Sequence, residues 1–248
     1  MEDYFRYLLD SIGDHPVDFL LYQIGTFAGA VSGIRLASAK KFDWFGAFVI
    51  GFATALGGGT LRDILLQTHP FWMDDPSYIV TTFLALILMW LFGKRFISEK
   101  VTWFVFDTIA ISVFMVIGLE KSLAAGFGSL VSIIMGVITA VFGGVIRDVL
   151  INEVPLIFRK ELYGMACAAG GVLYIVLVEL GVGTNAAGLI CIVSIFVLRA
   201  LAIRYGWGVP VLRGKGFVHE THYGIAHRHD RTRRDRAPVD GRNGHLGR

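Results

Sequence analysis

Two short runs hold the residues of this sequence best suited to act on a charged solute. The first is Gly57-Gly58-Gly59-Thr60-Leu61-Arg62-Asp63 and the second is Gly143-Gly144-Val145-Ile146-Arg147-Asp148. Each sets adjacent glycines about one turn before an Arg–Asp pair, within an otherwise apolar stretch. Adjacent glycines remove side-chain packing and cost about 1 kcal/mol each relative to alanine, so the runs are expected to break their helices. In lipid, a broken helix survives only inside protein or beside a water-filled cavity. A charge within a membrane costs at least ~2.5 kcal/mol and marks function by default. Carboxylates and freed carbonyls can offset the dehydration of a passing ion. The candidate pathway is therefore Gly57, Gly58, Gly59, Arg62, Asp63, Gly143, Gly144, Arg147 and Asp148, with Asp107 as a further embedded carboxylate. Adjacent residues on a helix point apart, which predicts that each of these arginines and aspartates pairs across to another helix. Glycines also let membrane helices pack closely, and Arg–Asp pairs can simply lock two helices. Duplication of both features argues against packing alone. No nucleophile–base pair, zinc signature, phosphate loop or dinucleotide fingerprint is present, so an enzyme is not expected.

The elements that must position these residues are membrane helices. The 248 residues are 54% hydrophobic and 17% charged, against about 45–50% and about 25% in a soluble domain. Apolar stretches recur at about 17–37, 43–66, 78–97, 101–120, 127–151, 161–180 and 184–204. Each approaches or exceeds the ~20 residues that cross a hydrocarbon core. The expected fold is an all-α membrane protein of seven transmembrane helices.

An internal repeat organises six of them. Shifting the sequence by 85 residues aligns Gly33–Pro70 with Gly118–Pro155 without a gap, and twelve positions are identical. These include Thr54/Thr139, Gly58/Gly143, Gly59/Gly144, Arg62/Arg147, Asp63/Asp148 and Pro70/Pro155; Tyr78/Tyr163 continues the register. Three spans per unit is an odd number, so the second unit runs inverted, with the solute path expected at the repeat interface. Residues 17–97 form the first repeat, 101–180 the second, and 184–205 a seventh helix outside both. Asp107 aligns with Tyr22 and breaks the symmetry.

Lys40, Lys41, Lys94, Arg95, Lys100, Arg159, Lys160, Arg204 and Arg213 fall in alternate loops. The positive-inside rule then puts the C-terminus in the cytoplasm and the N-terminal segment, 1–16, outside. That segment is acidic and does not resemble a signal peptide, so no cleavage is expected. The basic tail, 206–248, lacks apolar content and is expected to be disordered, with anionic lipid as its natural partner. The spacing of its four histidines from His219 to His229 matches no metal site. Cys167 and Cys191 read as small buried hydrophobes. Trp72, Trp90, Trp103 and Trp207 read as interface anchors. Neither a cofactor nor nucleic acid is implied.

The run Gly25–Gly33, the Gly57–Asp63 motif and its echo at Gly143–Asp148 together resemble the prokaryotic branch of the trimeric intracellular cation (TRIC) channels, also known as glycine-transporter-like proteins. The resemblance covers about residues 17–205. It implies a multi-pass protein of the inner (plasma) membrane and a homotrimer with one pore per protomer. It also implies potassium-permeable, monovalent-cation conduction along kinked second and fifth helices, with potassium or sodium as the transported ion. Phe142 stands where the first copy has Gly57, so the second break is expected to be milder. A secondary transporter for a small amino acid such as glycine is the alternative, since half-helix ends also hold carboxylates and ammonium groups. A reporter fused after Gly206 should be cytoplasmic and one at the N-terminus external; a cytoplasmic N-terminus would refute the seven-span assignment.

Overall fold

The computed structural model describes residues 16–96, 100–159 and 162–208. The N-terminal segment up to residue 15 and the tail from 209 lie outside the described residues, and with them the tail's expected disorder, histidines and lipid contacts.

Seven long helices follow one another: α1 Pro16–Ala39, α2 Trp44–Leu65, α3 Ser77–Phe96, α4 Lys100–Ala124, α5 Ser129–Leu150, α6 Gly164–Glu179 and α7 Thr184–Tyr205. Each matches an apolar stretch of the sequence to within about four residues. Five of them (α1, α2, α4, α5 and α7) are long and apolar enough to cross a membrane; the apolar parts of α3 and α6 are shorter. Pro16 opens α1, where a missing N–H costs nothing. Asp43 caps α2 by accepting from the Gly46 amide at 2.7 Å.

α2 and α5 end alike. Gln67 and Asn152, 85 residues apart, both take the left-handed conformation, with φ of 58° and 57°. The next amides, Thr68 and Glu153, return to the carbonyls of Asp63 and Asp148 at 2.9 and 2.8 Å. This is the Schellman closure, which satisfies carbonyls that a helix end leaves open. Each chain then folds back at Pro70 or Pro155 into a single turn, Phe71–Asp74 or Leu156–Phe158.

The core has two parts. Ala30, Ile34, Ile50, Leu56 and Ala85 form one among α1, α2 and α3; Ile111, Met115, Val141, Cys167, Cys191 and Ile195 form the other among α4–α7. The halves meet where α2 crosses α5. A Cβ built on Gly58 would overlap the Thr139 carbonyl oxygen, and one on Gly143 would overlap that of Thr54. Four residues forward along α2 is thus four residues back along α5, so the two helices run antiparallel. Both are helical without interruption through their glycines. The expected break is therefore absent, and the glycines serve backbone-to-backbone contact. The helical hydrogen bonds survive because the partner helix fills the space a side chain would occupy.

Gly58→Ala and Gly143→Ala should each lower stability by about 1–3 kcal/mol through overpacking. Gly164→Ala, where the added atom meets only ordinary van der Waals contacts at 3.6 Å and beyond, should be near neutral. Thermal unfolding in detergent checks this; equal midpoints for all three variants would show that the crossing tolerates a methyl group.

Candidate functional site

The two Arg–Asp pairs occupy the last turns of α2 and α5, and all four residues are at most 3% exposed. Contrary to the cross-helix expectation, each arginine bonds to the aspartate beside it. Arg62 Nε donates to Asp63 Oδ1 at 2.8 Å, and Arg147 Nε to Asp148 Oδ1 at 2.9 Å. Arg62 Nη2 lies 2.7 Å from Asp63 Oδ1 but off hydrogen-bond geometry. The rule that neighbours diverge holds for short side chains; arginine is long enough to turn back along the helix end. The second carboxylate oxygen has a fixed task in both copies. Asp63 Oδ2 accepts the Phe71 amide at 2.9 Å, and Asp148 Oδ2 accepts the Leu156 amide at 3.1 Å. Each aspartate therefore ties its arginine to the fold-back turn after the helix.

The cross-helix expectation holds for the second copy only. Arg147 Nη1 donates to Asp107 Oδ1 on α4 and to Ser32 Oγ on α1, both at 3.0 Å. Asp107 Oδ2 accepts from Arg199 Nη1 at 3.1 Å, and the same nitrogen donates to Thr108 Oγ1 at 2.8 Å. The Arg199 guanidinium lies 4.7 Å from the Tyr163 ring centroid and 5.0 Å from that of Phe104. In the first copy Tyr22 stands in place of Asp107, and Arg62 instead lies 5.6 Å from the centroid of the Phe71 ring. Arg199, Ser32, Thr108 and the two fold-back amides were not sequence candidates. Arg199 lies six residues inside α7, close to the basic flank of the last span and without a counterpart in the repeat; Pro70/Pro155 was the visible trace of the amides.

The remaining glycines pack rather than line a gap. Gly57 faces Ile146, Gly59 lies against the Phe71 ring, and Gly144 lies beside the Tyr163 hydroxyl. Trp72 donates to Thr60 Oγ1 at 3.0 Å, and Trp103 Nε1 is buried. Among the described residues no His, Cys, Asp and Glu side chains are grouped to hold a metal.

Two cavities complete the site. One, of about 560 Å³, is bounded by Phe19, Asp63, Leu66, Phe71, Lys121 and Ala124. The other, of about 580 Å³, is bounded by Phe104, Asp148, Ile151, Leu156, Leu36 and Ala39. Every residue of the first set lies 85 positions from its counterpart in the second. Each cavity opens beyond the C-terminal end of α2 or α5, and because these run antiparallel the cavities occupy opposite ends of the bundle. Between them lie both Arg–Asp pairs and the glycine crossing. The second rim carries an ion cluster: Lys40 Nζ donates to Glu153 Oε1 at 2.6 Å, and Arg159 Nη2 lies 3.5 Å from Oε2. Lys40 holds the Glu153 carboxyl below its usual range.

Repeated apolar helices with buried, neutralised charge pairs define a polytopic helical membrane protein. The glycine transporter family model matches residues 19–94 and 104–179, two segments 85 apart, as the repeat requires. A UPF0126 membrane protein of Vibrio cholerae is 37% identical over 79% of this chain and 83% of its own length. The UPF0126 inner membrane protein YadS of Escherichia coli K12 is 37% identical over 75% and 92%. The TRIC trimeric intracellular cation channel orthologue from Rhodobacter sphaeroides superposes with a TM-score of 0.73 at 33% identity, covering 77% of this chain and 98% of that one. A prokaryotic TRIC channel solved in 0.5 M KCl gives 0.72 at 27% identity, covering 79% and 100%. The chain belongs to the TRIC channel family, which the glycine transporter model describes.

Asp107 compensates two buried arginines, and leaving such charges unpartnered costs about 3–5 kcal/mol. Asp107→Asn should therefore be more destabilising than the double variant Asp107→Asn/Arg199→Gln, measured by thermal unfolding. Simple additivity would show that Asp107 and Arg199 are not coupled.

Proposed function

We propose that this protein is a potassium-permeable, monovalent-cation channel of the inner membrane, with one pathway in each protomer of a homotrimer. The observation that carries the reading is the pair of repeat-related cavities at opposite ends of α2 and α5, each floored by an arginine-held carboxylate. The likeness to solved TRIC channels supports it. All seven helices cross the bilayer in this reading. Residues 17–97 and 101–180 are inverted repeats, 184–205 is the seventh helix, the N-terminus is outside and the basic tail is cytoplasmic, at an anionic lipid surface.

The chemistry follows from charge placement. Cations enter one cavity, shed part of their hydration beside Asp63 or Asp148, and cross where Gly58 and Gly143 bring α2 and α5 together. Arg62 and Arg147 are not free cations on this route, because their aspartates neutralise them. A free guanidinium there would repel potassium across a low-dielectric gap. The continuous contact between α2 and α5 makes the crossing the natural gate: conduction requires the helices to part by a small amount. The glycine-transporter alternative relied on half-helix ends, which uninterrupted α2 and α5 do not offer.

Purified protein in planar bilayers under a potassium gradient should give discrete current steps that reverse near the potassium equilibrium potential. Electrically silent, saturable glycine uptake by the same preparation would refute the channel reading.

A further inference from the structure

The two cavities match in position but not in charge. The first is bounded by Asp63, Asp74, Asp75 and Lys121, the second by Arg35, Lys40, Arg159, Asp148 and Glu153. Asp63 and Asp148 are each compensated by the neighbouring arginine. Of the remaining groups, Asp74 and Asp75 against Lys121 leave one mouth with an excess of one negative charge, and Lys40 and Arg159 against Glu153 leave the other with an excess of one positive charge; the half-buried Arg35 is left out of the balance. The reversal is built position by position. Asp74 of the first mouth corresponds to Arg159 of the second and Ala125 to Lys40, which outweigh the opposite change from Thr68 to Glu153. Asp74 and Arg159 are partly exposed, at 64% and 43% of their side-chain surface, so both face water rather than the buried pairs.

We infer, resting on the channel reading above, that these two mouths make the pathway rectify: cations pass more readily from the acidic mouth to the basic mouth than in reverse. A cleft lined by one sign of charge focuses its field and raises the local concentration of the opposite ion. Potassium is thus enriched at the acidic entrance and depleted at the basic one. In the proposed orientation the basic mouth is cytoplasmic, so inward current is the larger. The positive-inside rule also places basic residues on that face, but a charge put there for topology acts on ions all the same. The Debye length is about 8 Å at 0.15 M salt and about 3 Å at 1 M. Rectification should therefore be clear in the first condition and nearly gone in the second.

The test is the single-channel current–voltage relation of the full-length protein in symmetric KCl, with two variants that equalise the mouths. In 0.15 M KCl the wild type should carry roughly twofold more current at one polarity than at the other. Arg159→Asp makes both mouths acidic and should abolish rectification while raising conductance. Asp74→Arg makes both basic and should abolish rectification while lowering conductance. This comparison needs no knowledge of which way each channel inserted. A linear wild-type relation in 0.15 M KCl, or rectification that survives in both variants, overturns the inference while leaving the channel reading intact. A folded wild-type oligomer that passes no current refutes the channel reading and the inference with it.

Discussion

The structure depends on two glycine faces, at Gly58 and Gly143, meeting the backbone carbonyls of Thr139 and Thr54. This contact joins the halves of the molecule together with the packing of α1 on α4, where Gly25 and Gly29 lie against Phe114, and it admits no side chain. Because α2 and α5 can approach so closely, the Arg–Asp pairs at their ends are carried to opposite sides of the crossing. Everything charged in the interior is then arranged around that geometry. Each aspartate holds its own arginine with one oxygen and the following fold-back turn with the other. Neither charge is left bare, and the turn that shapes the cavity wall is fixed by the same carboxylate.

The copies differ where the chain adds to the repeat. In the second half Asp107 receives Arg147 from one side and Arg199 from the other, so the seventh helix is attached through its charge as well as through apolar contacts with α4 and α6. The first half lacks this bracket, having Tyr22 in its place, and offsets Arg62 with Asp63 and the face of Phe71. A duplicated frame has thus been specialised by a few substitutions at equivalent positions. The same principle accounts for the mouths, whose outlines match while their charges oppose.

Much of this was legible in the sequence. The apolar stretches gave all seven helices, since a membrane-length run has few other fates, and the 85-residue register gave the repeat and its polar residues. What periodicity could not supply was reach. Arginine's length lets it bond to its immediate neighbour despite diverging Cα–Cβ directions, which made Arg62–Asp63 and Arg147–Asp148 local pairs. The glycines were visible as anomalies, but their cost to an isolated helix suggested a break. The partner helix that removes the break belongs to tertiary structure. Arg199 was overlooked because a charge near a helix end usually reaches outward to water; here a carboxylate three helices away in sequence draws it inward.

The central claim is that the two cavities are opposite entrances to one pathway. Single cysteines at Ala124 and Ala39, equivalent and exposed positions on the two cavity walls, test it directly when a membrane-impermeant thiol reagent is applied to one side at a time during potassium current. Cys167 and Cys191, both buried, provide a quiet background. The account predicts that Ala124→Cys is blocked from one side only and Ala39→Cys only from the other. Block of both from the same side, or of neither from any side, would contradict it.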